Sequence, residues 1–340
     1  MSAVIEAENI ITSRTNLESL LDKAITIQND CSDFSIPKVN ENTLRMNDLA
    51  GITYVSEGGE IRRADISPYA LSQLCNKIGV PARYIDKCIK AGMLDLAQDN
   101  ITSWVSDYNG SFFVREYKNK IRGILSSKFT TLDTPDIIEV LKDTLPSHKV
   151  KGYYLNEERF HLRLVTDRLD IPNEDLFGGI SVDSSDVGRS ALNVNFFLYK
   201  QVCTNGLCLA KGKGEIFRQK HIGITKEAFL KGLQDNLGMI PEIEQELTSR
   251  IKFARESGEV DFMNSKSVES VIDLIKAKTG LTEDGAKKVV SLFEYRVHRA
   301  EDFRYENNTW GLVNSITEFS QNFALDRRLE LEKSAGSLIA

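Results

Sequence analysis

The chain has 340 residues, 41% of them hydrophobic and 27% charged, enough for one large domain or two ordinary ones with real cores. A net charge of −6 argues against indiscriminate nucleic-acid binding, and five cysteines, an odd number without regular spacing, argue against a secreted disulfide framework. No window nears the roughly 20 apolar residues of a membrane span, and the acidic start lacks the basic and apolar regions of a signal peptide, so a soluble cytoplasmic protein is expected.

Three regions follow one another, and they are expected to form one compact body. Residues 1–110 mix helices and short strands. "NLESLLDKAITI" repeats its apolar residues at helical spacing, and "GITYVSEGGEIRRADIS" reads as a hairpin around Gly58-Gly59. In "SPYALSQLCNKIGVPARYIDKCIK", Ser67 is a helix N-cap with Pro68 in the first turn, Gly79 ends that helix, and Pro81 starts another.

Residues 111–223 form the β-rich part. "SFFVREYKNKIRGILSS" is a hairpin turning at Lys118-Asn119-Lys120, and "TPDIIEVLKDTL" is a helix for which Thr134 is the expected N-cap. A second hairpin turns at Asn156-Glu157-Glu158, and a long strand pair follows. In "NVNFFLYKQV", alternation places Phe197 and Tyr199 with Asn193 and Asn195 on one face and Phe196 and Leu198 on the other. Residues 224–340 carry a 3.6-residue period almost throughout, and Glu283 and Asp284 follow Thr282 where a helix N-terminus favours acids. The expected fold class is α+β: a central, mostly antiparallel sheet of hairpins with a helical C-terminal region packed on it.

Catalytic signals are sparse. In "LYKQVCTNGLC" the Asn205-Gly206 pair predicts a tight turn, which would set Cys203 opposite Cys208 as two reduced, buried thiols. No further cysteine pair or H-x₃₋₅-H completes a zinc site, and the spacing is not the C-x-x-C of a redox helix. None of the four histidines lies in a metalloprotease or nucleophile context, and "KGKGEIF" lacks phosphate-loop spacing. Asp183 and Asp186 in "VDSSDVGRS" could hold Mg²⁺ for a nuclease, although acid-serine clusters are commonly turns. The reading is of a binding protein without cofactor or metal rather than an enzyme.

Charge is uneven, and only residues 111–223 carry more basic than acidic side chains. Arg115, Lys118, Lys120, Arg122 and Lys128 in the first segment, and Lys200, Lys211, Lys213, Arg218 and Lys220 in the second, lie on hairpins that could line one sheet face and meet phosphates. Tyr117, Phe129, Tyr199 and Phe217 are candidate stacking faces, or core residues.

The segments "RGILSSKFTTLDTPDIIEVL", "GGISVDSSDVGRSALNVNFFLYKQVCTNGLCL", "RQKHIG" and "TWGLVNSITEFSQNFALDRRLELEKSAGSLI" resemble the phage- and plasmid-associated family catalogued as domain of unknown function 932. Arg122, Leu125, Ser126 and Phe129 match its R-x-x-L-S segment with the following aromatic. Ser184, Ser185 and Gly188 match its N-S-x-x-G segment, with Ser184 where Asn is usual. Cys203 through Gly206 match a C-T-N-G turn, and Glu332, Ala335 and Gly336 an E-x-x-A-G ending.

The resemblance implies a mobile-element setting, where replication, recombination and resistance to host defence are common tasks. In layout the chain is similar to phage single-strand annealing proteins, which implies single-stranded DNA as partner and a homo-oligomeric assembly. The alternative is an interaction factor that blocks a host anti-phage defence complex, or meets a replication protein, through the acidic stretch around Glu242 to Glu246. Neither reading calls for a membrane.

Overall fold

The computed structural model describes residues 15–47, 50–169, 171, 176–200, 205–208, 215–299 and 306–339. The α+β class holds. Among these residues the strands form two six-stranded sheets, each with its own helices and its own apolar core.

The first sheet has the order β1 (Cys31–Ile36), β5 (Phe112–Tyr117), β6 (Lys120–Ser126), β4 (Ile61–Ile66), β3 (Ile52–Val55), β2 (Leu44–Met46). Every pairing is antiparallel except β4 with β6. The hairpin β5–β6 turns at Lys118 and Asn119, whose φ values of 48° and 61° are those of a two-residue type I′ turn. Helices α2 (Pro68–Ile78), α3 (Ala82–Lys90) and α4 (Leu94–Ser106) cover one face, burying Leu74, Ile85, Ile101 and Val105 against Phe112, Val114 and Ile124. Ser67 Oγ accepts the Ala70 amide at the start of α2, and Gly79 closes it at φ 81°, as the local sequence predicts.

The second sheet runs β11 (Asn205–Cys208), β10 (Leu192–Lys200), β9 (Leu176–Ser184), β8 (Phe160–Arg168), β7 (Lys149–Leu155), and β12 (Glu215–Gln219) pairs with the opening half of β10. All its pairings are antiparallel. Leu162, Leu164, Ile180, Val182, Val194 and Phe196 face a large core. It is shared with α1 (Leu17–Asn29), α5 (Thr134–Thr144), α6 (Lys226–Leu237), α7 (Ile240–Arg255), α8 (Ser265–Thr279), α9 (Glu283–His298) and α10 (Thr309–Ser320).

Trp310, 2% exposed, sits in that core, and α10 is buried on nearly every side. On the sheet's other face, α11 (Leu325–Gly336) brings Glu332, fully buried, against Arg163 Nη2 at 2.9 Å and Arg328 Nε at 2.9 Å. Phe196 and Phe197 are both fully buried, one on each face of β10. Gly178 and Gly179 on β9 make that possible, because a Cβ at either would come within 2.8 Å of those rings.

Two local expectations are corrected. Register pairs Lys200 with Asn205 and Phe197 with Cys208, so Asn205-Gly206 opens β11 instead of forming the turn, and the residue in register with Cys208 is Phe197 and not Cys203. Cys203 lies outside the described residues. The positive-φ preference of Asn-Gly is local, and pairing along β10 overrides it. Helix α5 begins one residue early: Asp133 is its N-cap, its amide bound by Asp136 Oδ2 at 3.0 Å, while Thr134 Oγ1 donates to Asp186 Oδ1 at 3.1 Å. The hydroxyl is drawn to a buried carboxylate across the molecule and not to its own helix.

Candidate nucleic-acid interface

The two sheets meet along one seam, built by short segments of distinctive chemistry. On β5, Phe112 and Val114 point into the first core, so Phe113 and Arg115 point the other way, toward the second sheet. Arg115 is 1% exposed and bridges Asp33 at 2.9 Å, Asp133 at 2.7 Å and the Asp186 carbonyl at 2.8 Å. Arg122, 2% exposed, lies 3.7 Å from Asp186 and donates to the Glu157 carbonyl. Both guanidiniums are therefore spent holding the seam and do not reach a surface where phosphates could meet them.

The connection from β9 to β10 docks on β6. Ser185 Oγ donates to the Glu158 carbonyl at 2.7 Å and accepts from the Val187 and Arg189 amides at 3.3 and 3.0 Å, folding the segment into a tight loop. Gly188 takes φ 73°, and a Cβ there would stand 3.0 Å from Leu125 and 3.5 Å from Phe129. Val187 packs on Gly123, and Gln73 of α2 ties the two together, donating to the Val187 carbonyl at 2.9 Å and accepting from the Ile124 amide at 2.9 Å. The R-x-x-L-S segment with its aromatic and the S-S-x-x-G segment, more than 50 residues apart in sequence, thus touch each other.

Beside this contact opens a cleft with a cavity of about 580 Å³. Its walls come from α2 (Gln73, Asn76, Lys77), the end of β6 and its turn (Leu125, Ser126, Phe129), the β9–β10 connection (Arg189, Ser190) and the end of β12 (Arg218, Lys220, His221). Among the described residues four cations line it and no carboxylate does. Arg189 is shared with Glu158 at 3.5 Å and lies over the Tyr69 ring, whereas Lys77, Arg218 and Lys220 form no ion pair among the described residues. Burial pushes the Lys77 ammonium below its ordinary pKa, an environment that an added anion would relieve.

The edge is fixed by backbone. Thr130 N donates to the His221 carbonyl at 2.8 Å, and Phe129 bridges Ile222. The Phe129 ring lies parallel to the His221 imidazole at 5.3 Å and near-parallel to Phe113 at 6.4 Å. Burial holds His221 below the usual histidine pKa, so it is neutral at pH 7.

The expected basic residues are dispersed more widely than one sheet face, because the two basic hairpins belong to different sheets. Arg218 and Lys220 line the cleft, and Lys128 is exposed on the turn after β6. Lys118 and Lys120 sit at the opposite end of β6, about 20 Å away by strand rise, with Lys118 paired to Asp30 at 3.2 Å. Lys200 belongs to β10, though its side chain is outside the described set, as are Lys211 and Lys213 altogether.

The expected stacking faces are engaged within the protein. Phe217 meets Phe229 edge-on at 5.8 Å, Tyr117 carries the Lys118 ammonium at 5.1 Å, Phe129 stacks as above, and the Tyr199 side chain is outside the described set. Lys77 and Arg189 were not singled out by the sequence. Lys77 is remote in sequence from the basic hairpins, and in "VDSSDVGRS" the two acids obscure the Gly-Arg after the serine turn, which is the sign of an exposed cation.

Asp183 and Asp186, the possible Mg²⁺ ligands, are each held by arginine: Arg159 stands 3.2 Å from Asp183, Arg122 3.7 Å from Asp186. Among the described residues no three potential metal-ligating side chains gather, and no helix is long and apolar enough to cross a membrane. A family model described as "Domain of unknown function (DUF932)" matches residues 123–337. No curated protein and no solved structure matches the chain.

Proposed function

Given that the chain belongs to the family described as domain of unknown function (DUF932), whose description assigns no reaction, we propose from the geometry that it binds nucleic acid through the seam cleft. One observation carries the reading: in a protein of net charge −6, four cations and no carboxylate line the cleft among the described residues. An acidic surface around a basic cleft directs a polyanion to that cleft alone. Single-stranded DNA, handled during recombination or replication of a mobile element by an oligomer of this chain, is the proposed setting.

The test is fluorescence anisotropy with labelled single- and double-stranded oligonucleotides across roughly 50 to 200 mM salt. Three to four phosphate contacts on a single strand predict a log–log slope of about −2 to −3. The Arg218→Glu/Lys220→Glu variant should lose that binding, and salt-independent or absent binding would refute the reading.

A protein-docking role in blocking a host defence complex is the second reading. It is favoured by Phe253 on α7, 76% exposed, beside a groove of about 490 Å³ that includes Leu338 and Ile339. Reversal of Glu242 and Glu246 should then abolish activity that the Arg218 and Lys220 reversals leave intact.

A further inference from the structure

The cleft is larger than a track for phosphates requires. Resting on the nucleic-acid reading above, we propose that its cavity seats one nucleotide, with the phosphate on Arg218, Lys220 and Lys77 and the nucleobase inserted between the two sheets.

Three features support the assignment. A volume of about 580 Å³ falls in the range of pockets that enclose small organic ligands, roughly 300–1,000 Å³, and far exceeds the needs of a phosphate group. The lining is also mixed in the way a nucleotide requires. Leu125, Ala191 and Ile222 offer apolar surface for the flat faces of a base, and Asn76 and Asn193 offer amides for its edge. Asn193 already has one partner, its Nδ2 donating to the Ala191 carbonyl at 2.8 Å, which leaves its amide oxygen to accept from an exocyclic amino group.

The third feature is where the cations come from. Lys77 stands on α2 over the first sheet's core, its ammonium 5.9 Å from the Phe112 ring, while Arg218 and Lys220 stand at the end of β12 in the second sheet. A single phosphate reaching both groups would join the sheets. Lys77 also lies outside the span matched by the family model, so the seat combines the matched region with the preceding residues.

A base can enter this cavity only after leaving its stack. The strand bound here is therefore single, and a duplex would be taken only where a nucleotide is unpaired.

The experiment is isothermal titration calorimetry and thermal denaturation of the full chain with nucleoside 5′-monophosphates, the corresponding nucleosides and inorganic phosphate, alongside the labelled oligonucleotides. The expected result is a monophosphate that binds at least tenfold more tightly than phosphate or nucleoside and raises the melting temperature. That response should be lost in Arg218→Gln/Lys220→Gln. Asn76→Trp alters an exposed helix position without touching charge, fills the cavity, and should weaken the monophosphate at least tenfold.

Monophosphate and phosphate of equal affinity, or an unchanged monophosphate affinity in Asn76→Trp, would overturn the seat. Oligonucleotide binding without any monophosphate response would overturn it too, leaving the nucleic-acid reading in place. If neither oligonucleotide nor monophosphate binds, both fall.

Discussion

Asp186 is a carboxyl beside two arginines, yet burial and the charge of Asp133 raise its pKa to about 6, against the pull of Arg122 and Arg115. The folded chain thus holds this proton more tightly than the unfolded chain. The resulting stability is fully present below about pH 4 and is lost as pH rises through about 6. Two pKa units correspond to roughly 3 kcal/mol. Asp186→Asn does not titrate, so urea denaturation should show the stability gap between wild type and variant narrowing by about that much from roughly pH 4 to 7.5. A gap that widens would show that the arginines prevail over burial.

Glu332 is a different case, a carboxylate fully buried between the guanidiniums of Arg163 and Arg328. Arg163→Met should cost up to about 3 kcal/mol, because the buried carboxylate keeps Arg328 but loses its second guanidinium, and Arg163→Met/Glu332→Leu should recover most of it. Equal costs in the single and double variants would mean that Arg163 acts through packing alone.

At the scale of the element, the β9–β10 connection positions the cleft wall, and Gly188 is its tightest constraint. Its φ of 73° strains any L side chain, and a Cβ would press on Leu125 at 3.0 Å. Gly188→Ala should therefore destabilise the chain by more than about 1 kcal/mol in urea and weaken oligonucleotide binding by displacing Arg189. A neutral result on both would show that the loop does not position the cleft wall.

Elements whose boundaries depend on adjacent residues were legible in the sequence. Ser67-Pro68, Gly79 and the Lys118-Asn119 turn all stand where local chemistry puts them. Signals that compete with distant partners were not. Thr134 turns to Asp186, and Asn205-Gly206 gives way to pairing with β10. The parallel contact of β4 with β6, more than 50 residues apart, has no local signature, so the division of the hairpins between two sheets could not be read. The cleft was half legible for that reason. Arg218 and Lys220 stood out as charges on a basic strand, Arg115 and Arg122 looked the same but are buried, and Lys77 is brought in only by the fold.

For the molecule as a whole, the two sheets are joined by buried ion pairs and, beside them, border a cleft in which Lys77, Arg218 and Lys220 form no ion pair among the described residues. The first is a structural use of arginine, the second a surface left charged at a cost in self-repulsion that a bound polyanion would offset. Whether that cleft takes a polyanion is read by comparing two charge reversals in one anisotropy titration with a labelled single strand at about 50 mM salt. Arg218→Glu/Lys220→Glu alters the cleft, and Lys118→Glu/Lys120→Glu alters the hairpin tip about 20 Å away. The cleft pair should abolish binding while the tip pair retains it within a few-fold. Binding that survives the cleft pair and is lost with the tip pair would contradict the cleft assignment.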